Sequence, residues 1–363
     1  MQEVNVGIIG SGFVAEIHAR SLQQVPGTNL AAVASRNETH AAAFASRFQI
    51  PQCFTDYRRV LELADVDVVS LCLPNNLHCE AAVAAAEAGK HVICEKPLCM
   101  NLPEADRMIE ACKRSGVHLL YAEELIFAPK YVRARQLVQE GALGKVYLVK
   151  QAERHFGPHS EWFWDVEKSG GGALQDMGCH GVEFARWMLG RPAAVAVTAH
   201  CGTYVHAGKT KADDTAVAMI EFEGGALGVI EPSWATPGGM DDRSEIYGDQ
   251  GVTFADLLRG SSLVTYSEPG YGYAVEKAAT TRGWTFTMFE ESWNYGFPQE
   301  MAHFIACVRG DAEPLATGED GRAVLEILFA AYESAATGRR VSLPFSTEAP
   351  YPIYPWLHRR NTE

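Results

Sequence analysis

Between residues 4 and 123 the chain alternates short apolar, largely β-branched runs with segments of helical period, and few architectures accept that pattern. "VNVGII", "LAAVAS", "VDVVSLCLP", "HVICEKP" and "VHLLYAE" are apolar on both faces through their centres, with most polar residues at their ends. A strand of that kind must be covered on both sides, as in a parallel sheet between two helical layers. Helical patterns over 12–22, 38–48, 77–88 and 102–114 supply those layers. Right-handed crossovers then make residues 1–122 a doubly wound α/β domain. The character changes near Gly144. "KVYLVKQAERHF" alternates as a half-exposed strand, and "PAAVAVTAH", "DDTAVAMIEFEGG", "ALGVIEPSWA", "RSEIYGDQG", "VTFADL" and "SLVTYS" follow, punctuated by Gly and Asp turns. Residues 123–363 are therefore expected to form an α+β domain with a large, mainly antiparallel, open-faced sheet. Helices at 299–307 and 320–336 would pack back on that sheet or on the first domain.

The first strand runs directly into "GSGFVAEIHA". Gly10 permits a tight turn, Gly12 lets a pyrophosphate approach the backbone, and Ala15 allows close packing of helix on strand. The N–H groups that open the helix, at Phe13 and Val14, would face the phosphates. NAD sites place an acid at the end of the second strand, whereas this chain has Ser35-Arg36-Asn37. A hydroxyl beside a guanidinium suits a 2′-phosphate and favours NADP. With Arg36 stacked on adenine and Ser35 or Asn37 on the ribose diol, NAD remains open.

Ligands of such sheets bind beyond the carboxyl ends of the strands. One strand ends "LPNNLHCE", which presents Leu73, Pro74, Asn75 and His78 to a cofactor, with Asn76 a plausible helix cap. The next ends "CEKPL", presenting Glu95, Lys96 and Pro97. A Lys in a cleft, its pKa lowered by burial, is a usable proton acceptor for a hydroxyl. The third cluster is "GGGALQDMGCH", residues 170–180. If 174–190 is one helix, Asp176 and His180 share a face at i, i+4, and the carboxylate can orient the imidazole. Gly178 is costly inside a helix and would allow a ligand to come close.

"RHFGPHSEWFWD" adds Arg154, His155, His159, Trp162 and Trp164. Aromatic faces suit sugar C–H surfaces, Arg and His suit an anionic group, and core packing accounts equally well for the tryptophans. Glu123, after "HLLYA", is placed to meet sugar hydroxyls. Cys179-His180 and His200-Cys201 lack zinc spacing, so no metal is expected.

Taken together, "GIIGSGFVAEIHA", "EKPL", "GALGKV", "GGGALQDMGCHGVEFARWMLG" and the "FEGGALGVIE" hairpin resemble the Gfo/Idh/MocA oxidoreductases, the family of glucose-fructose oxidoreductase and inositol dehydrogenase. The resemblance spans nearly the whole chain. It implies a Rossmann domain followed by a sheet domain that forms homodimers or homotetramers through its open face. It implies Lys96, Asp176 and His180 as the catalytic set of an NAD(P)-dependent dehydrogenase acting on a sugar, glycoside or cyclitol. His180 would be the acid/base, Lys96 would assist and touch the nicotinamide ribose, and Asp176 would position substrate and imidazole. An alternative is a glycosidase with tightly bound NAD, which oxidises, eliminates, hydrates and re-reduces, on a sulfonated or carboxylated sugar for instance. A non-catalytic dinucleotide sensor comes last, since all three residues are present.

Formal charge sets bounds on partners. Thirty-one basic against 45 acidic residues give −14, with no basic patch, so no nucleic-acid partner is expected. No apolar run approaches the roughly 20 residues that span a bilayer, and no membrane partner is expected. Nine dispersed cysteines and an N-terminus without signal-peptide character point to the cytoplasm.

Overall fold

The computed structural model describes residues 2–258, 263–273, 275–287 and 290–359 and divides them between two compact units. The first contains 1–124 and 296–323, the second 125–295 and 324–363. The expected boundary near 122 thus falls two residues later. The segment 296–323 also belongs to the first unit instead of to 123–363. The reason is apolar: helix Phe297–Arg309 packs on helix Phe13–Leu22 and buries Met301, Phe304 and Ile305 completely. Such burial stabilises by about 1.5–3 kcal/mol per side chain.

Six parallel strands form the sheet of the first unit: β1 Val4–Ile9, β2 Thr28–Ala34, β3 Gln52–Phe54, β4 Val68–Leu71, β5 His91–Glu95 and β6 Leu119–Ala122. Their order is β3-β2-β1-β4-β5-β6. The winding reverses between β1 and β4, which opens a crevice at their carboxyl ends. Both sequence stretches that end there, the glycine loop and "LPNN", therefore line one edge. The short β3 escaped the sequence reading because "QCF" has too few residues to show a period.

The second unit holds β7 Val146–Arg154, β8 Ala194–Gly202, β9 Thr215–Phe222, β10 Leu227–Ser233, β11 Asp241–Gly248, β12 Val252–Asp256 and, near the chain end, β15 Val341–Ser342. They make one sheet in the order β12-β11-β7-β10-β9-β8-β15. Every neighbouring pair is antiparallel except β7 with β10. The β8-β9-β10 meander returns to β7 in its own direction, so the sheet is mixed. "SLVTYS" does not join it; β13 Leu263–Ser267 pairs with β14 Gly283–Thr287 as a separate hairpin. Helix Gly178–Leu189 covers β7 and β10. The other face exposes Val195, Val217, Met219, Tyr147, Val252 and Phe254, in keeping with the expected open side.

A buried ion pair fastens the first helix to the first sheet. His18 in helix Phe13–Leu22 is fully buried; its Nε2 lies 2.7 Å from a Glu95 carboxylate oxygen and its Nδ1 2.8 Å from the Ser70 hydroxyl. Burial opposes the charged imidazole, but Cys72 and Glu95 outweigh it and raise the His18 pKa well above its usual value. Burial likewise opposes the Glu95 carboxylate, and His18, then Lys96, hold its pKa below the ordinary range. A raised imidazole stabilises fully below its unfolded pKa and loses that contribution as pH climbs through the folded value. The depressed carboxyl does the reverse, contributing above the ordinary carboxyl range and failing on acidification. His18→Gln is expected to cost about 3–5 kcal/mol at neutral pH. Calorimetric melting across pH should show its deficit against the parent narrowing at acid pH as Glu95 protonates; a constant deficit would contradict the pairing.

Candidate active site

The glycine loop has the shape its residues require. Gly10 adopts φ +119°, and a Cβ there would lie 2.1 Å from the Cys72 carbonyl oxygen, so only glycine fits. A Cβ on Gly12 would meet no atom within 4 Å, leaving open space in front of the helix start at Phe13. Ala15 is fully buried under the helix, while Phe13 is 44% exposed. The first intrahelical bond is donated by Glu16 N–H to Gly12, so the N–H groups before it have no helical acceptor. Ser11 donates to the Ser35 hydroxyl at 2.8 Å, tying the loop to the end of β2. Arg36 is exposed and makes no ion pair among the described residues. Asn37 turns away from this role: its side-chain oxygen accepts from His40 N–H at 3.0 Å and caps helix Glu38–Phe48. The open space before the helix start fits a dinucleotide phosphate chain, and the exposed guanidinium at the end of β2 fits its adenosine end.

Two further residues read as cofactor contacts do structural work instead. His78 is fully buried. Its Nε2 sits 2.9 Å from the Leu73 carbonyl and its Nδ1 3.1 Å from that of Pro97. Burial lowers its pKa, so the neutral ring donates to one of these carbonyls while wedged between the "LPNN" and "EKPL" loops. Glu95 is spent on His18, and it also accepts from the Lys96 N–H at 3.1 Å. Lys96 itself is half-buried, and the peptide to Pro97 is cis. Asn75 is buried, and no side chain caps the helix that follows, so Asn76 is not the cap its position suggested. Glu123 is fully buried at the end of β6.

In the second unit the three glycines form a turn whose logic is steric. Gly170 has φ +81°; a Cβ on Gly171 would lie 2.5 Å from the Tyr332 hydroxyl, and one on Gly172 would lie 1.8 Å from the Asp213 carbonyl oxygen. Asp213, fully buried, accepts from Gly172 N–H at 3.1 Å, Leu174 N–H at 2.8 Å and the Tyr332 hydroxyl at 2.7 Å. Burial raises its pKa to about 6, against the pull of those bonds. In sequence Asp213 is only the polar start of "DDTAVAM"; a carboxylate just before a strand carries no signal that it serves a turn about 40 residues earlier.

The expected single helix is broken. Ala173–Asp176 and Gly178–Leu189 are separate helices, joined at Met177 with φ −107° and ψ −28°. Asp176 and His180 therefore do not lie on one continuous helical face. Asp176 is buried and accepts from the Trp234 indole N–H at 3.0 Å. Trp234 is fully buried among Ala173, Met177, Phe163 and Trp164. His180 is 2% exposed, in the first turn after the break. The glycines of this helix serve packing, not ligand approach. A Cβ on Gly178 would lie 2.8 Å from Leu174, and one on Gly181 2.5 Å from Ile230 of β10.

The cations proposed for an anionic group are largely committed. Arg154 pairs with Glu231 and lies 3.9 Å from Asp241. His159 Nε2 is 2.6 Å from Glu276. His155 is 1% exposed; burial, then neighbouring His159, lower its pKa to about 3, so the ring is neutral. Its Nδ1 is buried with no hydrogen-bond partner among the described residues. Trp162 stacks on Phe163 at 3.8 Å, and Trp164 meets Trp234 edge-on at 5.6 Å, so both are tied into aromatic packing.

Comparison with known proteins agrees with this geometry along the full chain. Residues 4–123 match the NAD-binding Rossmann-fold model of an oxidoreductase family, and 135–343 match its C-terminal alpha/beta model. The chain is 31% identical to the myo-inositol 2-dehydrogenase of Thermotoga maritima over 343 residues, covering 94% of this chain and 98% of that one. It is 30% identical to the D-glucoside 3-dehydrogenase of Escherichia coli, covering 94% and 97%. Among solved structures it superposes on GenD2 from gentamicin A biosynthesis, in complex with NAD, with a TM-score of 0.90 at 34% identity, covering 95% and 97%. Levoglucosan dehydrogenase, in complex with NADH and levoglucosan, gives 0.80 at 26% identity, covering 95% and 100%. With both family models matched and relatives aligned end to end, the chain belongs to the Gfo/Idh/MocA oxidoreductase family.

Proposed function

We propose that the protein is an NAD(P)-dependent dehydrogenase that interconverts a ring hydroxyl and a ketone on a sugar, glycoside or cyclitol. The observation that carries this reading is Asp176, a buried carboxylate gripped by Trp234 one turn before His180, in a chain whose relatives include inositol and glucoside dehydrogenases. His180 takes the proton of the reacting hydroxyl. Asp176 fixes the substrate and the imidazole, and Lys96 assists through the nicotinamide ribose. The nicotinamide, when bound, accepts the hydride from the carbon. The glycosidase alternative is not favoured: the named relatives are dehydrogenases, and the cations invoked for a sulfonated or carboxylated sugar are paired.

The cofactor is a nicotinamide dinucleotide, and Ser35 with Arg36 decides between its two forms. An exposed Arg36 free of ion pairs among the described residues supports acceptance of a 2′-phosphate, hence use of NADP. The open sheet face with Val217, Met219 and Phe254 supports a homodimer or homotetramer. All nine cysteines are free and eight are buried, which suits the reducing cytoplasm. No described helix is long and apolar enough to cross a membrane.

Three measurements bear on this reading. With myo-inositol or methyl α-D-glucopyranoside and NAD+ or NADP+, absorbance at 340 nm should rise; His180→Ala and Lys96→Met should each lower kcat by about 10²–10⁴ with the fold intact. Absence of any rise over a broad neutral sugar panel would defeat the proposal. Arg36→Ala should raise KM for NADP+ by about tenfold, the worth of a charge-assisted phosphate contact, and leave NAD+ nearly unchanged; equal effects would assign Arg36 to adenine. Light scattering should return a dimer or tetramer mass, and a monomer would remove the sheet interface.

A further inference from the structure

The segment between the two strands of the separate hairpin contributes one group that neither the resemblance nor the sequence motifs single out. Lys277 has φ +59°, a left-handed conformation that a side chain with a Cβ adopts at a cost. Its ammonium donates to the Gly157 carbonyl at 3.1 Å and the Pro158 carbonyl at 2.7 Å. An ammonium has three donors, and no third acceptor is found for it among the described residues. The anchor is continuous with the proposed catalytic carboxylate. Gly157 N–H donates to the Trp234 carbonyl at 2.8 Å, and the Trp234 indole holds Asp176. Two residues before Gly157 stands His155, with its buried and unpartnered Nδ1. The carboxylates of Glu276 and Asp176 both act on the ammonium, against the burial that lowers its pKa.

We infer that Lys277 is a substrate-positioning and specificity-determining residue, whose remaining N–H binds a hydroxyl of an uncharged polyol ring away from the carbon that is oxidised. This rests on the dehydrogenase reading above. A hydroxyl oxygen accepts the ammonium N–H and brings no charge toward the carboxylates that act on it. A carboxylate only accepts, and it would approach Asp176 and Glu276 with one ammonium to balance them. Acidic sugars are therefore rejected by like charge. The committed cations nearby, Arg154 on Glu231 and His159 on Glu276, add no positive surplus. The strained backbone at Lys277 is held by its own side chain reaching two carbonyls, which aims the third N–H.

The test uses Lys277→Gly and Lys277→Arg in the full chain saturated with NADH. Calorimetric titration would use myo-inositol, methyl α-D-glucopyranoside and D-glucuronate as probes. Glycine accepts φ +59° freely, so Lys277→Gly should melt within about 2 °C of the parent or higher. The parent should bind a neutral ring about tenfold or more tightly than glucuronate. Lys277→Gly should weaken neutral-ring binding about tenfold with NADH affinity unchanged, and raise KM more than it lowers kcat. Lys277→Arg should recover part of the loss. Equal neutral-ring affinity in parent and glycine variant, tighter binding of glucuronate, or a large fall in melting temperature in both variants would each overturn the inference. A parent that binds a neutral ring through Lys277 yet forms no NADH would instead defeat the dehydrogenase reading alone. A parent that binds no neutral ring would defeat both.

Discussion

A carboxylate without a cation carries the second unit. Asp213 is buried, its pKa raised by that burial, and it is answered by two backbone N–H groups and a tyrosine hydroxyl. Those bonds satisfy the amides that the glycine turn would otherwise leave orphaned in the interior, where each would cost about 1–3 kcal/mol. The turn in turn sets where Ala173–Asp176 begins and so where the Asp176 carboxylate meets Trp234. Remove that grip and the local rationale for three consecutive glycines disappears, because they exist to let Tyr332 and Asp213 come close.

Around it, the charged groups of each unit are compensated locally. Glu95 is answered by His18, Arg154 by Glu231, His159 by Glu276 and Glu183 by Arg186 and Arg191. Two groups at strand ends stand apart from these pairs: Arg36 beyond β2, and the third donor of Lys277 near the end of β7. A chain with a formal charge of −14 can in this way still present single cationic donors to a ligand. Overall charge says little about a site a few ångströms wide.

Much of this was legible beforehand. Continuous apolar runs and the Gly10–Ala15 loop announce a parallel nucleotide-binding sheet because a strand buried on both faces has no polar alternation to hide. Residue types at the strand ends were legible too, but not their assignments. His78, Glu95 and Asn37 have the chemistry of ligand contacts, and each is consumed by the protein: by carbonyls, by a histidine, by a helix start. A sequence shows what a side chain can bond, not which neighbour reaches it first. The break at Met177 was hidden because "LQDMGCHGVEFARWMLG" keeps helical period across it. Asp213, Tyr332 and Lys277 act over separations of 40 to 160 residues, where no local pattern carries information.

The break at Met177 also bears on how such a site changes over time. Asp176 is set from one side, by Asp213 through the turn and by Trp234 through its indole. His180 is set from another, by a glycine-lined helix pressed on β7 and β10. With a rigid single helix, any shift of the carboxylate would drag the imidazole with it. Two short helices hinged at one residue let the groups be re-aimed separately. Drift in the Trp234 cluster can shift the carboxylate while the imidazole of His180 stays in place, a modularity suited to a family whose members act on many related rings.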